Sequence, residues 1–515
     1  MLDARVMLPR SDTIFALASG SGRAAIAVIR LSGPACPAAL EALAPRARFP
    51  DRVATLSALR DPVTLEPLDR ALVIRFRAPR SYTGEEMAEL HATGGRAVIA
   101  GIVAALAKIP GLRPAEPGEF AWRAFENGKL DLSEVEGLAD LVEAETAAQR
   151  RQALRIAGGA LSRETEAIRS KLLEAMAILE AQIDFSDVED VDAFSLEAAR
   201  VIVAEAARRV KAALAGAAAG ARLREGFNVV IAGPPNVGKS TLMNALARRD
   251  VSIVSPIPGT TRDLVEVSLE LRGYPVTLID TAGIRDTDDP IEREGVARAR
   301  RRAEEADLTL WLSEKAEPIE AGLPGGGPVI MVLTKADLRP AQGVECESAT
   351  STDQHDDPSR RSLGSRNSDG EDLSRTLAAA RRPEGPSLTG LHRRKKRLSK
   401  RSTAQAVAGL ASAGAPIAIS ALTGAGIESL LDAVADLAEE RMAGPAPALI
   451  TLERHRAAFA DALRALERAL DPARTELELV AEDLRLAARA LQRIAGRIDV
   501  EDVLGDIFSR LCVGK

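Results

Sequence analysis

The segment Phe227-Asn-Val-Val-Ile-Ala-Gly-Pro-Pro-Asn-Val-Gly-Lys-Ser-Thr241 constrains this chain more than any other. An apolar strand leads into Gly233-Pro-Pro-Asn-Val-Gly238-Lys239-Ser240, which fits G-x-x-x-x-G-K-[ST]. That spacing lets successive backbone N–H groups curl around phosphate oxygens, and Gly238 admits a close approach because it has no Cβ. Lys239 then reaches the outer phosphates. Ser240 offers its hydroxyl to Mg2+ at the start of a helix whose dipole favours anions. Asn236, Val237 and Thr241 complete the stretch that would wrap a nucleotide.

Companion motifs follow in order. Gly259-Thr260-Thr261-Arg262-Asp263 supplies a switch whose Thr261 can bind Mg2+ and sense the γ-phosphate. Val265 to Leu271 alternates apolar and polar residues, as a half-buried strand should. Val276-Thr-Leu-Ile-Asp280-Thr281-Ala282-Gly283 reads as a buried strand ending in an acidic residue for the metal shell and a glycine that can turn toward the γ-phosphate. Leu308–Leu312 and Val329–Leu333 are further core strands, the second running into Thr334-Lys335-Ala336-Asp337. A carboxylate at Asp337 would accept two N–H bonds from guanine, a pattern adenine does not offer. Thr334 stands where Asn is usual and weakens that contact. Ser420-Ala421-Leu422, after the strand Pro416–Ile419, adds a backbone N–H for the guanine carbonyl. Together these motifs imply GTP binding and hydrolysis.

At 515 residues the chain should hold about three or four domains. Apolar residues make up 46%, enough to fill real cores, and the net charge of −6 gives no global pull toward nucleic acid. Any RNA contact must therefore be a local patch or come through a partner. Three scattered cysteines, Cys36, Cys346 and Cys512, are too few for a disulfide framework or a zinc site, which fits a reducing cytosol. No apolar run approaches the length of a membrane helix and the N-terminus lacks a secretory pattern, so a soluble cytoplasmic protein is expected.

Residues 1–128 read as mixed α/β, with short strands at Thr13–Ala18, Ala24–Leu31 and Ala71–Phe76. Residues 129–222 are alanine-rich and helical. Ile168, Leu172, Met176, Leu179 and Ile183 form one apolar stripe there. The G domain is expected over 223–445. In 446–515, Phe459, Leu463, Leu466 and Leu470, then Val480, Leu484, Ala487, Leu491 and Ile494, mark two more amphipathic helices. Helices exposing single apolar stripes need partners, so one helical domain interrupted by the G domain is preferred over two separate ones. Residues 340–405 are rich in Ser, Arg, Asp and Gly and carry His392-Arg-Arg-Lys-Lys-Arg397. Such a composition cannot offset its ordering entropy, so a disordered insertion is expected, either a solvated loop or an RNA-contacting arm.

Three further stretches resemble one family. Asp12-Thr-Ile-Phe-Ala-Leu-Ala18 with Ile29-Arg30-Leu31-Ser32-Gly33, Ser81-Tyr-Thr-Gly-Glu-Glu-Met-Ala-Glu89-Leu90, and Pro117-Gly-Glu-Phe120 through Asn127-Gly-Lys129-Leu-Asp131-Leu are similar to the MnmE (TrmE) family. The ending Leu511-Cys512-Val-Gly-Lys515 resembles that family's Phe-Cys-Ile-Gly-Lys. These are bacterial GTPases that modify the wobble uridine of certain tRNAs. The resemblance implies a multidomain architecture: an α/β tetrahydrofolate-binding N-terminal domain that dimerises, an all-α helical domain, and an inserted α/β P-loop (Ras-like) G domain. It also implies work with MnmG, an FAD- and NADH-using protein, as a heterotetramer of two copies of each, to form a 5-carboxymethylaminomethyl group. The one-carbon donor would be a 5-formyl- or 5,10-methylene-tetrahydrofolate.

By the same resemblance, folate residues carry over onto Arg30, Glu89, Lys129 and Lys515, and Cys512 carries over as catalytic. The chain has His91-Ala-Thr93-Gly-Gly95 where the family commonly has His-Gly-Gly, which implies a changed side chain near the folate pocket. In Ras-like enzymes a Gln after the D-x-x-G motif orients water. Here that place is Ile284, and the family assigns the task to a Glu that corresponds to Glu292. No arginine finger is evident. The family uses a K+ ion, which would be held by Asn236 and by carbonyls around Ser255, Ile257 and Thr260, within Ser255-Pro256-Ile257-Pro258-Gly259 of the nucleotide-binding switch. A competing reading is a ribosome-assembly GTPase like Era or Der. Those carry an RNA-binding domain after the G domain, whereas this chain ends in helices and Cys-Val-Gly-Lys.

Overall fold

The computed structural model describes residues 12–20, 22–184, 196–249, 266–280, 304–316, 327–338, 416–444, 448–496 and Gly514. The first unit is built on β1 (Thr13–Leu17), β2 (Ile26–Ser32), α1 (Cys36–Leu43), β3 (Thr55–Arg60), β4 (Pro67–Phe76), β5 (Met87–Thr93), α2 (Arg96–Ala107), β6 (Leu112–Pro114) and α3 (Glu119–Glu126). Its six strands lie in the order β3-β4-β5-β2-β1-β6, antiparallel except for the β1–β6 pair. Phe15, Ile29, Leu31, Val73 and Leu90 alternate onto one face and bury against Leu40, Leu43, Ile102 and Leu106 of α1 and α2. The expected strands are present. The strand β3 and the second half of Ser81–Leu90, which enters β5, lack a sequence signal as strong as their neighbours'.

Five helices follow: α4 (Leu132–Glu143), α5 (Ala147–Ala157), α6 (Ala160–Asp184), α7 (Leu196–Ala215) and α8 (Ala217–Glu225). Both α4 and α5 begin with reciprocal capping boxes, Asp131 with Glu134 and Thr146 with Gln149, which satisfy orphan N–H groups. Then comes the second sheet: β7 (Phe227–Ala232), α9 (Lys239–Ala247), β8 (Glu266–Leu271), β9 (Tyr274–Asp280), β10 (Leu308–Ser313), β11 (Val329–Leu333), β12 (Ile417–Ala418) and α10 (Ile427–Met442). Its order is β12-β11-β10-β7-β9-β8, with only the β8–β9 pair antiparallel. Strands buried on both faces explain the near-continuous apolar runs at 227–232 and 274–280.

The chain returns to helix with α11 (Glu453–Ala469) and α12 (Leu477–Gln492). Phe459, Leu466, Val480, Leu484 and Leu491 share one core with Ile168, Leu172, Leu179, Val203 and Val210 of α6 and α7. Helices on either side of the nucleotide-binding sheet thus complete each other's apolar faces, and the G domain is inserted into an all-α domain. Ile183, the last residue of the expected stripe, is only half-buried near the end of α6. The segment 340–405 lies outside the described residues.

Candidate functional sites

The loop between β7 and α9 is anchored at both ends. Gly233 has φ 146°, and a Cβ there would meet the Leu312 carbonyl oxygen at 2.3 Å, so β10 packs directly on the turn. Val237 is buried in the sheet's core, while Asn236 (φ 62°) and Gly238 (φ 103°) carry the left-handed twists that curl the backbone. Among the described residues, a Cβ on Gly238 would meet nothing within 4 Å. The Lys239 ammonium folds across this loop, donating to the carbonyls of Gly233 and Pro234 at 2.9 Å each. The exposed Ser240 hydroxyl donates to the Asp280 carboxylate at 3.3 Å, and Asp280 is buried at the end of β9. Exposed Thr241 follows on the first turn of α9. A hydroxyl and a carboxylate brought together beside a helix N-terminus suit a hydrated Mg2+ joined to phosphate.

Two further loops leave the same carboxyl edge of the sheet, where ligands of open α/β sheets bind. Thr334 is buried, and its N–H and hydroxyl both face the Ser313 carbonyl, at 2.9 and 3.5 Å. Lys335 (φ 55°) pairs with Glu314, and Asp337 sits on the short turn after it. The Ala336 N–H donates to the Ile419 carbonyl at 3.0 Å, which ties this loop to Ser420, Ala421 and Leu422. Ser420 is buried and accepts from the Thr423 N–H at 3.2 Å, while Leu422 is exposed. Residues Ser255, Pro256, Ile257, Pro258, Gly259, Thr260, Thr261, Thr281, Ala282, Gly283 and Glu292 lie outside the described residues, as do Cys512 and Lys515.

A second cluster lies on the first sheet. Arg30 on β2 stands directly opposite Glu89 on β5 and donates to its Oε1 through Nε at 3.2 Å and Nη2 at 3.0 Å. The other carboxylate oxygen of Glu89 faces His91 Nε2 at 3.1 Å, two residues along the same face. The guanidinium also lies 5.2 Å from the Tyr82 ring centre and 5.8 Å from that of Phe120. Its Nη1 donates to the Gly514 carbonyl at 3.4 Å. The Tyr82 hydroxyl is buried with no hydrogen-bond partner among the described residues, and burial pushes its pKa up. Lys129 lays its aliphatic stem over Gly84 of the same loop.

That loop is held by the buried Ser32 and Thr83 hydroxyls, 2.6 Å apart, and by Arg123, which bonds Glu85, Glu119 and Asp12. Sequence reasoning named Arg30, Glu89 and Lys129 but gave no role to Tyr82, Phe120 and His91, although all three fall within the quoted stretches. Thr93 lies on the same strand as Glu89. It sits at the far end of β5, where its N–H donates to Asp69 at 2.6 Å, about 13 Å of strand away from Glu89.

A P-loop on the first strand of a mostly parallel sheet, with metal-side hydroxyl and carboxylate adjacent, defines the class as a P-loop nucleotide-binding protein. The chain matches two family profiles, "GTP-binding protein TrmE N-terminus" over residues 13–129 and "MnmE helical domain" over residues 132–512. A Bradyrhizobium sp. (strain ORS 278) protein called tRNA modification GTPase MnmE is 47% identical over 99% of this chain and 100% of its own length. Proteins of the same name from Beijerinckia indica subsp. indica and Methylobacterium sp. (strain 4-46) are 46% and 47% identical, each over 98% of this chain and over 96% and 100% of their own lengths. The chain belongs to the MnmE family. No described helix is long and apolar enough to cross a membrane.

Proposed function

We propose that this chain is a K+-dependent GTPase that acts with MnmG on the wobble uridine of certain tRNAs, forming a 5-carboxymethylaminomethyl group with a tetrahydrofolate one-carbon donor. The P-loop carries the hydrolytic part of this reading, above all Ser240 facing Asp280 beside the left-handed turn at Gly238. GTP would lie along Asn236 to Thr241, with Mg2+ held by Ser240 and Thr261. Asn236, exposed on its left-handed turn, supports a K+ ion shared with Ser255, Ile257 and Thr260. Bound there, K+ would offset the negative charge that develops in the transition state. Guanine would be recognised by Thr334, Lys335, Asp337 and the 420–422 loop.

The folate part is supported by Arg30, Glu89, Tyr82 and Phe120, which offer a cation, a carboxylate and two rings in one place. A carboxylate accepts pterin N–H bonds and a cation suits the folate's glutamate tail. Lys129 and Lys515 are assigned to the same tail, and the first domain to homodimer formation. Cytoplasmic location follows from the tRNA substrate. GTP turnover measured in K+ and in Na+ tests the proposal, and equal rates in both would overturn the ion's role. Glu292→Ala should lower kcat far more than it weakens nucleotide binding, as a group acting in the transition state must. Mass spectrometry of wobble nucleosides from a deletion strain reads out the modification.

A further inference from the structure

Away from both sites, α11 and α12 run antiparallel and leave a groove of about 390 Å³ between their outer faces. Asp461, Arg464, Ala465 and Arg468 line one wall, at the spacing that stacks side chains on one helix face. Leu486, Arg489, Ala490 and Arg493 line the other with the same spacing. Four guanidinium groups thus face one another across two alanines whose small side chains leave the space open. Asp461 is the single carboxylate among the lining residues, bonded by Arg464 at 2.5 Å and Arg493 at 2.6 Å. Arg468 is held from behind by the buried Asp483 at 2.8 Å. Arg489 is exposed and has no ion pair among the described residues.

We infer that this groove docks the phosphate backbone of the tRNA, an inference that rests on tRNA being the substrate. The whole chain is acidic, with a net charge of −6, so attraction to RNA must be local. Here the balance is reversed. Each paired arginine engages a carboxylate through one nitrogen and keeps other N–H groups, in the planar fork that suits a phosphate. Arginines one turn apart in two facing rows match successive phosphates along a strand. Contact with the phosphate backbone positions the RNA without reading its sequence.

The test uses the full-length protein and fluorescently labelled tRNA, with affinity measured by anisotropy over a range of KCl. Replacing Arg464 and Arg489 together by Ala should weaken binding about tenfold or more and make the salt dependence shallower by about two counterions. The double Lys variant should keep most of the affinity. Asp461→Asn should tighten binding severalfold, a gain that a folding defect cannot mimic. GTP hydrolysis should be unchanged in all three. Wild type that binds tRNA, with variants that match it in affinity and salt slope, would overturn the groove while leaving the substrate reading intact. Wild type that modifies and binds no tRNA would overturn both. Normal tRNA affinity with loss of MnmG binding in the Ala variant would assign the groove to the protein partner and overturn the inference.

Discussion

Arg30 earns its position through four neighbours at once: Glu89, two aromatic rings and the Gly514 carbonyl. Cross-strand pairing sets Arg30 against Glu89, so neither needs a special backbone to meet the other. Replacing Arg30 by Ala should abolish binding of 5-formyltetrahydrofolate in calorimetry and leave GTP hydrolysis unchanged. Unaltered folate affinity would remove Arg30 from the site. Tyr82 gives a prediction with two signs. Its buried hydroxyl has no hydrogen-bond partner among the described residues, and a buried group without one costs about 1–3 kcal/mol. Tyr82→Phe should therefore melt no earlier than wild type, and slightly later, yet bind folate more weakly. Earlier melting together with normal folate affinity would show that the hydroxyl serves packing alone.

Between elements, Glu136 on α4 carries an unusual load. It is buried and receives both Arg454 and His455 of α11, with His455 Nε2 at 2.9 Å. Arg454 also donates to the Arg493 and Ile494 carbonyls at 3.2 Å, which joins three helices at one point. Burial works to raise the Glu136 pKa, but the bonds from His455 and Arg454 hold it below its usual 4.5. Burial pushes His455 below 6.5 despite the pull of Glu136. Both groups therefore bind protons more readily in the unfolded chain, and stability rises with pH. The imidazole's contribution is complete above about pH 6.5 and is lost below it; the carboxylate's follows below about pH 4.5. Glu136→Gln should cost about 3 kcal/mol near neutral pH, because it strips the half-buried Arg454 of its anion and weakens the acceptor facing the buried His455. Melting curves from pH 4 to pH 8 check this, and superimposable wild-type and variant profiles would refute it.

Most of these elements were legible in advance. The β7 strand, its loop and α9 followed from one motif, and the stripes on α6, α11 and α12 followed from periodicity. Glu136 was not legible, because one of four carboxylates on a short helix, beside Glu134, Asp140 and Glu143, looks like any solvent-facing charge. Its partners lie more than three hundred positions away, beyond the reach of any local pattern. The groove arginines were hidden for the opposite reason. Charged positions on amphipathic helices read as solvated faces, and only the antiparallel pairing of α11 with α12 sets the two rows opposite each other.

At the scale of the whole molecule, Gly514 packs against the first described strand. Gly514 is buried with φ 102°, and a Cβ there would lie 2.3 Å from the Leu17 carbonyl oxygen of β1. Its own carbonyl accepts from Arg30, 484 positions earlier. This contact brings the residue two positions after Cys512 to the cluster proposed for folate. Gly514→Ala combines a backbone conformation strained for an L residue with a steric collision, so the contact should be lost. Folate affinity should fall, while GTP turnover, which depends on a different sheet, should stay. Cys512→Ser is the milder companion. It changes one atom, so folate binding and melting temperature should both be kept. If the thiol takes part in the chemistry, tRNA modification should nevertheless be abolished. The pair separates two roles for this end of the chain, a structural one at Gly514 and a chemical one at Cys512. Normally modified tRNA in the Cys512→Ser strain would reduce that residue to packing, and unchanged folate affinity in Gly514→Ala would mean that the Arg30 contact is incidental to binding.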